Sequence, residues 1–277
     1  MSLSVGRGLL QRFELIHLNM SDAEYSALPG IRSTQLKRAL LSPKHFMAPV
    51  DGTDATQLGT LVHMYCLEPE RFKKECAVEP SDIESKTKNP GKKKWDEFKA
   101  ANADKTIVTR EQFTVCEGIW QSIQDHPTAR FWFQDAAKEV VATAKLGLND
   151  AKAKADLVMG SILADLKTTS GLASPGAWSK TVAEYGYHFS AAYYRDVFRA
   201  AGRDVSLFFW VVAETKAPYA VRIFQAAEAA LTKGRMEYEE ALARIRTAQD
   251  LDMWDSYPTD IVPIDLPSWY KSAADYT

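Results

Sequence analysis

The chain has 277 residues, 46% of them hydrophobic and 25% charged, and a mass of 31.0 kDa, so it can bury a large core. Its formal net charge of −2 excludes a strongly basic nucleic-acid binder, so any contact with DNA must come from a local surface. Three widely spaced cysteines without a CxxC pair argue against a disulfide framework or a zinc knuckle. The longest apolar run, residues 205–213, is too short to span a bilayer. The opening residues lack a signal-peptide core. We therefore expect a cytoplasmic protein with no membrane partner.

The amino-terminal part, to about residue 130, is predicted to be mainly helical. Ser33 or Thr34 can cap a short helix that ends before Pro43. Lys37 and Arg38 lie on this helix, either as solvated surface or as contacts to DNA.

A second helix is predicted over the sequence ATQLGTLVHMYCLEPERF. Its apolar residues recur at helical spacing: Leu58, Leu61, Val62, Tyr65 and Cys66. His63 lies beside this stripe. On periodicity alone, a single histidine in such a place is usually structural, although histidine is also a common metal ligand.

A lysine-rich segment follows, with five lysines in residues 86–94 around Asn89-Pro90-Gly91. Proline, glycine and mutual repulsion predict a mobile, exposed loop here. Lys92 and Lys93 either contact phosphate or only keep the protein soluble. Two helices are predicted after it, over residues 95–103 and 111–124.

The central stretch is residues 152–169, KAKADLVMGSILADLKTT, which we interpret as a β-hairpin turning at Gly160-Ser161. Alternation predicts one apolar face formed by Ala155, Leu157, Met159, Ile162, Ala164 and Leu166. The same register places Asp156 across from Asp165, and Lys154 across from Lys167, on the other face. Opposed carboxylates destabilise a strand pair, so this arrangement calls for a cation. Mg²⁺, with Mn²⁺ as a substitute, suits such oxygen ligands.

The remaining elements complete a mixed α/β pattern. Residues 138–146, which contain Glu139, and residues 205–213 and 219–224 are predicted strands, and two helices are predicted between residue 169 and the second of these strands. A long amphipathic helix is predicted over residues 226–248. We expect a central mixed sheet flanked by helices in one domain, 1–277. Within it, residues 1–130 form the helical part and 131–277 the core with the sheet.

Several motifs together resemble a known family. Asp156 followed by Asp165-Leu166-Lys167 is similar to the D…(D/E)xK motif of PD-(D/E)xK nucleases, and GTLVHMYCLEPERF resembles their histidine-bearing helix. The segment MSDAEYSALPGIRSTQLKRALLSPKHF and the segment GYHFSAAYY at residues 186–194 are similar to exonuclease VIII (RecE-type) nuclease domains and their phage or prophage relatives. The family glutamine is replaced by Ser190.

The resemblance implies a PD-(D/E)xK core and roles for particular residues. Asp156, Asp165, His63 and the Leu166 carbonyl would hold the metal, and Lys167 would act with the two aspartates in catalysis. Histidine takes the third ligand role in the family pattern, so Glu139 ranks below His63. The weaker candidates for contact with DNA are Tyr194, His188, Ser190, Lys154, Lys37, Arg38, Lys92 and Lys93.

The resemblance also implies an activity and partners. We expect a Mg²⁺-dependent exodeoxyribonuclease that acts 5′ to 3′ on double-stranded DNA ends and leaves 3′ tails for recombination. A homotetramer and a single-strand annealing protein are implied as partners. The alternatives are an endonuclease, a RecB-like accessory nuclease, or a silent DNA-binding module. A small-molecule enzyme lacks support, since the sequence has no glycine-rich phosphate loop or nucleophile elbow.

Overall fold

A six-stranded mixed sheet organises the computed structural model, which describes residues 16–17, 20–49, 54–83, 85–267 and 269–270. Its strands, in spatial order, are β1 (Ile16–His17), β4 (Ala137–Leu146), β5 (Asn149–Met159), β6 (Ile162–Thr169), β7 (Leu207–Glu214) and β8 (Val221–Gln225). Strands β4, β5 and β6 form an antiparallel meander, β7 is parallel to β6, and β8 is antiparallel to β7. A separate parallel pair consists of β2 (Cys76–Val78) and β3 (Thr106–Val108).

The helices lie on both faces of the large sheet. Before β4 come α1 (Asp22–Ala27), α2 (Ser33–Leu36) continued by a 3-10 turn (Lys37–Leu40), α3 (Pro43–Met47), α4 (Asp54–Leu67), α5 (Pro69–Glu75), α6 (Gly91–Ala101), α7 (Arg110–Asp125) and α8 (Pro127–Asp135). Helices α9 (Pro175–Glu184) and α10 (Tyr187–Ala200) connect β6 to β7, and α11 (Glu228–Leu251) follows β8. Parallel neighbours such as β6 and β7 require such a crossover. None of the described helices is long and apolar enough to cross a bilayer.

Two apolar cores share the sheet. The first joins α10 and α11 to one face and includes Phe189, Phe198 and Leu242. The second joins α4, α7 and α8 to the opposite face, with Ile119 among its fully buried residues. The predicted fold class, a mixed α/β architecture with a central sheet between helices, is therefore confirmed.

The hairpin turns where the sequence predicts, with Met159 paired to Ile162 and Gly160 at a φ of 55°. The three observed pairs, from Met159–Ile162 to Leu157–Ala164, have the predicted register, but the β5–β6 pairing ends at Leu157–Ala164, earlier than the sequence predicts. Asp156 and Lys154 therefore do not pair with Asp165 and Lys167 across a ladder.

One member of the predicted apolar face also lies elsewhere. Leu157, Ala164 and Leu166 belong to the second core, with Met159 and Ile162 packed against it, whereas Ala155 lies in the first core. The β4–β5 pairing skips Glu139, whose φ of 52° is left-handed. The same pairing also omits Asp156, which stands opposite Glu139, and alternation is interrupted there between Ala155 and Leu157.

Two local predictions in the helical part are wrong. The lysine-rich segment is not all loop, because α6 begins at Gly91 and carries Lys92 and Lys93 in its first turn. Helix α2 begins at Ser33 itself and has no side-chain cap at its amino terminus. The hydroxyl of Ser42 instead accepts a hydrogen bond from the His45 amide at the start of α3.

Candidate active site

The site forms where β5 and β6 separate. Beyond the last pair, Leu157–Ala164, the Asp156 carboxylate accepts a hydrogen bond of 2.6 Å from the Leu166 backbone N–H. The side chain of Asp156 thus replaces the carbonyl that a continued ladder would have supplied, which keeps the buried N–H satisfied. This arrangement fixes Asp156 beside the Leu166 peptide.

Asp165 and Lys167 lie two residues apart on β6 and form an ion pair. Burial alone would lower the pKa of Lys167, but the carboxylates of Asp165 and Asp156 outweigh it and raise the pKa above its usual value. The Lys167 side chain is 23% exposed.

Helix α4 brings His63 to the same place. Its Nδ1 lies 3.5 Å from the Asp156 carboxylate, and its imidazole has a hydrogen-bond contact with the Leu166 backbone. Burial lowers the pKa of His63, and the nearby Lys167 lowers it further. A neutral imidazole is the form of histidine that binds metals.

Glu139 completes a cluster of possible ligands. Each of His63, Glu139 and Asp156 offers one possible ligand atom, a ring nitrogen or a carboxylate oxygen, and these three atoms lie within 4.8 Å of one another. The left-handed backbone at Glu139 falls at the position that the β4–β5 pairing omits. Such a conformation is costly for a residue with a Cβ, and residues of this kind concentrate at functional sites.

The carboxylates of this cluster are crowded. Burial, followed by the charge of Asp156, raises the pKa of Glu139 to about 7. Burial and Asp165 likewise raise the pKa of Asp156 well above its usual value. The cations nearby are Lys167, paired with Asp165, and Lys154, whose Nζ lies 2.5 Å from Glu139 and 2.9 Å from Asp22.

This donor set fits a divalent metal ion. Carboxylate oxygens suit Mg²⁺ and Mn²⁺, and an imidazole also suits first-row transition ions. A bound cation would counteract both causes of the raised pKa values of Asp156 and Glu139, which are burial first and the neighbouring carboxylate second. Sequence reasoning named His63, Asp156 and Asp165 but ranked Glu139 lower. One feature of the sequence does point to Glu139 as a ligand: it is the one acidic residue in the predicted strand, residues 138–146.

The basic candidates for DNA contact all have partners within the chain. Lys37 donates to the Tyr185 carbonyl at 2.8 Å, and Arg38 donates to the carbonyls of Ala48 and Pro49. The side-chain nitrogens of the two α6 lysines lie near carboxylates: Lys92 is 2.5 Å from Asp96, and Lys93 is 3.9 Å from Glu97. Lys154 is only 12% exposed and lies inside the carboxylate cluster.

The three candidates on α10 lie in different surroundings. Tyr194 hydrogen-bonds with Ser33, and burial, together with nearby phenolic and carboxylate groups, raises its pKa well above the usual value. His188 uses both ring nitrogens within the chain, toward Glu237 at 2.8 Å and the Val182 carbonyl at 3.3 Å. Ser190 is partly buried, and its backbone N–H donates to the Gly186 carbonyl.

The meander followed by a parallel strand, with two aspartates and a lysine where β5 and β6 separate, defines a PD-(D/E)xK-type fold and site. The chain belongs to the family described as "PDDEXK-like domain of unknown function (DUF3799)", whose model matches residues 32–260. No curated protein matches the sequence.

One solved structure gives the same fold. The crystal structure of a protein described as a candidate exonuclease from Eubacterium rectale has a TM-score of 0.61 and 15% identity, and the match covers 94% of this chain and 99% of that one. Protein VC1899 from Vibrio cholerae has a TM-score of 0.20 and 10% identity over 86% of this chain and 58% of its own, which supports no argument. Family and fold together support a nuclease.

Proposed function

We propose that this protein is a metal-dependent exodeoxyribonuclease that hydrolyses phosphodiester bonds of linear double-stranded DNA. The observation that supports the proposal most directly is the cluster of His63, Glu139 and Asp156, with donor atoms within 4.8 Å of one another, beside the Asp165–Lys167 pair. Such a site combines ligands for a divalent ion with an ammonium group, and both stabilise charge on a phosphate.

The proposed ligands are Asp156, Asp165, His63 and the Leu166 carbonyl, with Glu139 as an additional carboxylate. Mg²⁺ is the proposed ion, with Mn²⁺ as a substitute. When bound, such an ion lowers the pKa of a coordinated water and offsets negative charge on the phosphate. The hydrogen bond from Leu166 N–H to Asp156 orients one ligand before any ion binds.

Lys167 is the proposed group that contacts the reacting phosphate. Its ion pair with Asp165 favours the charged ammonium, so it donates hydrogen bonds to a phosphate oxygen or to the attacking water. In this role it stabilises charge in the transition state and does not remove a proton.

The finer parts of the proposal rest on the resemblance to RecE-type domains. They are 5′ to 3′ polarity, production of 3′ single-stranded tails for recombination by strand annealing, a phage or prophage origin, a homotetrameric assembly and an annealing protein as partner. Light scattering of the purified protein tests the assembly. A monomer at micromolar concentration would contradict the tetramer without affecting the cleavage chemistry.

The cleavage test compares a 5′-labelled linear duplex with the same DNA as a covalently closed circle, in Mg²⁺ and in EDTA. The proteins are the wild type, Asp165→Ala and the control Asp150→Ala, which removes an exposed carboxylate of β5 paired with Lys145. We expect Mg²⁺-dependent release of label from the linear DNA only, abolished in Asp165→Ala and retained in Asp150→Ala. Cutting of the circle would indicate an endonuclease. Absence of cleavage of either DNA would indicate a silent DNA-binding module.

A further inference from the structure

Two stacked tyrosines mark the junction between α9 and α10. The rings of Tyr185 and Tyr187 have centroids 5.7 Å apart and an interplanar angle of 21°. Tyr187 is partly buried, whereas Tyr185 is 57% exposed. Among the ring pairs of the described residues, Tyr185 contacts Tyr187 alone. The Tyr185 ring is therefore more than half exposed, with Tyr187 as its aromatic neighbour among the described residues.

This pair adjoins the cleavage site. The Lys167 ammonium lies 5.4 Å from the centroid of the Tyr187 ring. Since the two tyrosine centroids are 5.7 Å apart, the Tyr185 ring lies no more than about 11 Å from Lys167. At about 3.4 Å per nucleotide along a stacked strand, this distance spans about three nucleotides.

The junction is held in place from the inner side. Tyr187 packs against the buried Trp178 at 5.6 Å, and Lys37 donates to the Tyr185 carbonyl at 2.8 Å. Gly186, at a φ of 61°, leaves room for Lys37, because a Cβ there would lie 3.0 Å from the lysine Cδ. The Tyr185 backbone is therefore fixed even though its ring is exposed.

Another exposed aromatic side chain of the described residues lies in different surroundings. Tyr257 is 64% exposed, but its ring neighbour is His45 on α3. Two ammonium groups, those of Lys37 and Lys167, lie within 6 Å of the Tyr187 ring. The stacked pair Trp95–Phe98 also has two ammonium groups near it, but the Tyr185–Tyr187 pair differs because one of its two belongs to Lys167 of the candidate active site. Aromatic faces beside positive charge are the means by which proteins hold single-stranded nucleic acid without sequence preference.

We propose that Tyr185, supported by Tyr187, is a stacking site for a nucleobase of the DNA strand being cleaved, within about three nucleotides of the reacting phosphate. The inference rests on the proposed nuclease function and adds a base-binding subsite to it. Stacking on Tyr185 would hold the terminal bases of that strand apart from the complementary strand. Because every base has a flat face, the site would not select sequence.

The test uses 2-aminopurine, a base whose fluorescence is quenched when it stacks, at each of the three terminal positions of a short single strand and of a blunt duplex. Binding is measured in an Asp165→Ala background with Mg²⁺, so that cleavage does not intervene. We expect Tyr185→Ala to lose the quenching at one of these positions and to bind about 5- to 150-fold more weakly. Tyr185→Phe should retain both, and the control Tyr257→Ala should be unaffected.

A second measurement separates stacking from a general loss of binding. In the parent protein, which keeps Tyr185, replacing the quenched nucleotide by an abasic sugar should weaken binding by the same factor as the Tyr185→Ala substitution does. The abasic strand should then bind the two proteins equally, because the interacting partner is already absent. An additive loss would overturn the proposal.

The remaining outcomes are also decisive. Equal quenching and affinity in Tyr185→Ala and its parent would overturn the stacking site, as would an Asp165→Ala parent that binds neither DNA. Neither result bears on the nuclease proposal, which the cleavage of linear and circular DNA tests separately. If cleavage is absent in the wild type but quenching depends on Tyr185, the stacking site stands and the nuclease proposal falls.

Discussion

Glu139 is the residue whose role depends most on its backbone. In a regular strand its side chain would follow the alternation of β4, but its left-handed φ of 52° interrupts that pattern, and its carboxylate lies beside His63 and Asp156. The conformation costs on the order of 1–3 kcal/mol. The three donors thus come from three separate elements, α4, β4 and β5.

We predict that Glu139→Gln weakens metal binding. The amide keeps the shape of the side chain but removes one negative charge from the cluster, so the affinity for Mn²⁺ should fall at least about tenfold. Isothermal titration of Mn²⁺ into the wild type and the variant measures this effect. Asp150→Asn, an exposed carboxylate of β5, is the control and should bind Mn²⁺ as the wild type does. Equal affinities for wild type and Glu139→Gln would exclude Glu139 as a ligand.

For single residues, the sequence predicts positions that depend only on near neighbours in the chain. Asp165 and Lys167 are two residues apart, and a strand places both on one face whatever surrounds them. The basic candidates depended on distant partners. Lys37 donates to Tyr185, 148 positions away, and Lys154 pairs with Asp22, 132 positions away. No local pattern in the sequence predicts such pairs.

Helices α10 and α11 pack closely enough to exclude a side chain at one contact. A Cβ added to Gly234 would lie 2.3 Å from the His188 carbonyl oxygen, and the neighbouring backbone cannot rotate away as a flexible side chain would. Next to this contact, Asp196 on α10 accepts hydrogen bonds from Arg235 and from the Tyr238 hydroxyl. This packing fixes α10, whose first turn carries Tyr187.

We predict that Gly234→Ala lowers the free energy of unfolding by about 1–3 kcal/mol, because the methyl group overpacks the helix contact. Gly176→Ala in α9 is the matched control. Nothing lies within 4 Å of its added Cβ, so it should be neutral or stabilise by up to about 1 kcal/mol through lower backbone entropy of the unfolded chain. Urea unfolding followed by circular dichroism measures both. A Gly234→Ala protein as stable as the wild type would contradict the close approach.

The periodicity of apolar residues predicts the ends of some helices and strands but not of others. The prediction of residues 111–124 as a helix is close to the observed α7, Arg110–Asp125, because its apolar stripe and its Thr109 cap are both local. The end of the β5–β6 ladder could not be predicted from such local signals. It follows from the Asp156 side chain taking the Leu166 N–H, which alternation of polar and apolar residues does not encode.

The whole molecule has two cores separated by one shared sheet. The face of the sheet toward α4, α7 and α8 includes Leu166 and Val211, both fully buried. Without the amino-terminal helices this face would be exposed to water. Hydrophobic burial is the main favourable contribution to folding, so the sheet depends on helices that precede it in the chain.

We predict that a fragment of residues 131–277 does not fold by itself, in keeping with a single domain over 1–277. The fragment should bind a hydrophobic dye and unfold without a cooperative transition, whereas the full chain should show one. Thermal unfolding and dye fluorescence of the two proteins test this expectation. A fragment with a cooperative transition of its own would instead indicate two domains.

The site lies between the two cores, so its residues come together only when both layers of helices have folded onto the sheet. His63 comes from a helix packed on one face of the sheet, and Tyr187 from a helix packed on the other, while Asp165 and Lys167 come from the sheet itself. A partly folded chain, with only one layer of helices in place, lacks either the imidazole or the aromatic support. Completion of the fold is therefore a condition for the site to exist, since a newly synthesised or damaged chain that lacks one layer of helices has no assembled centre.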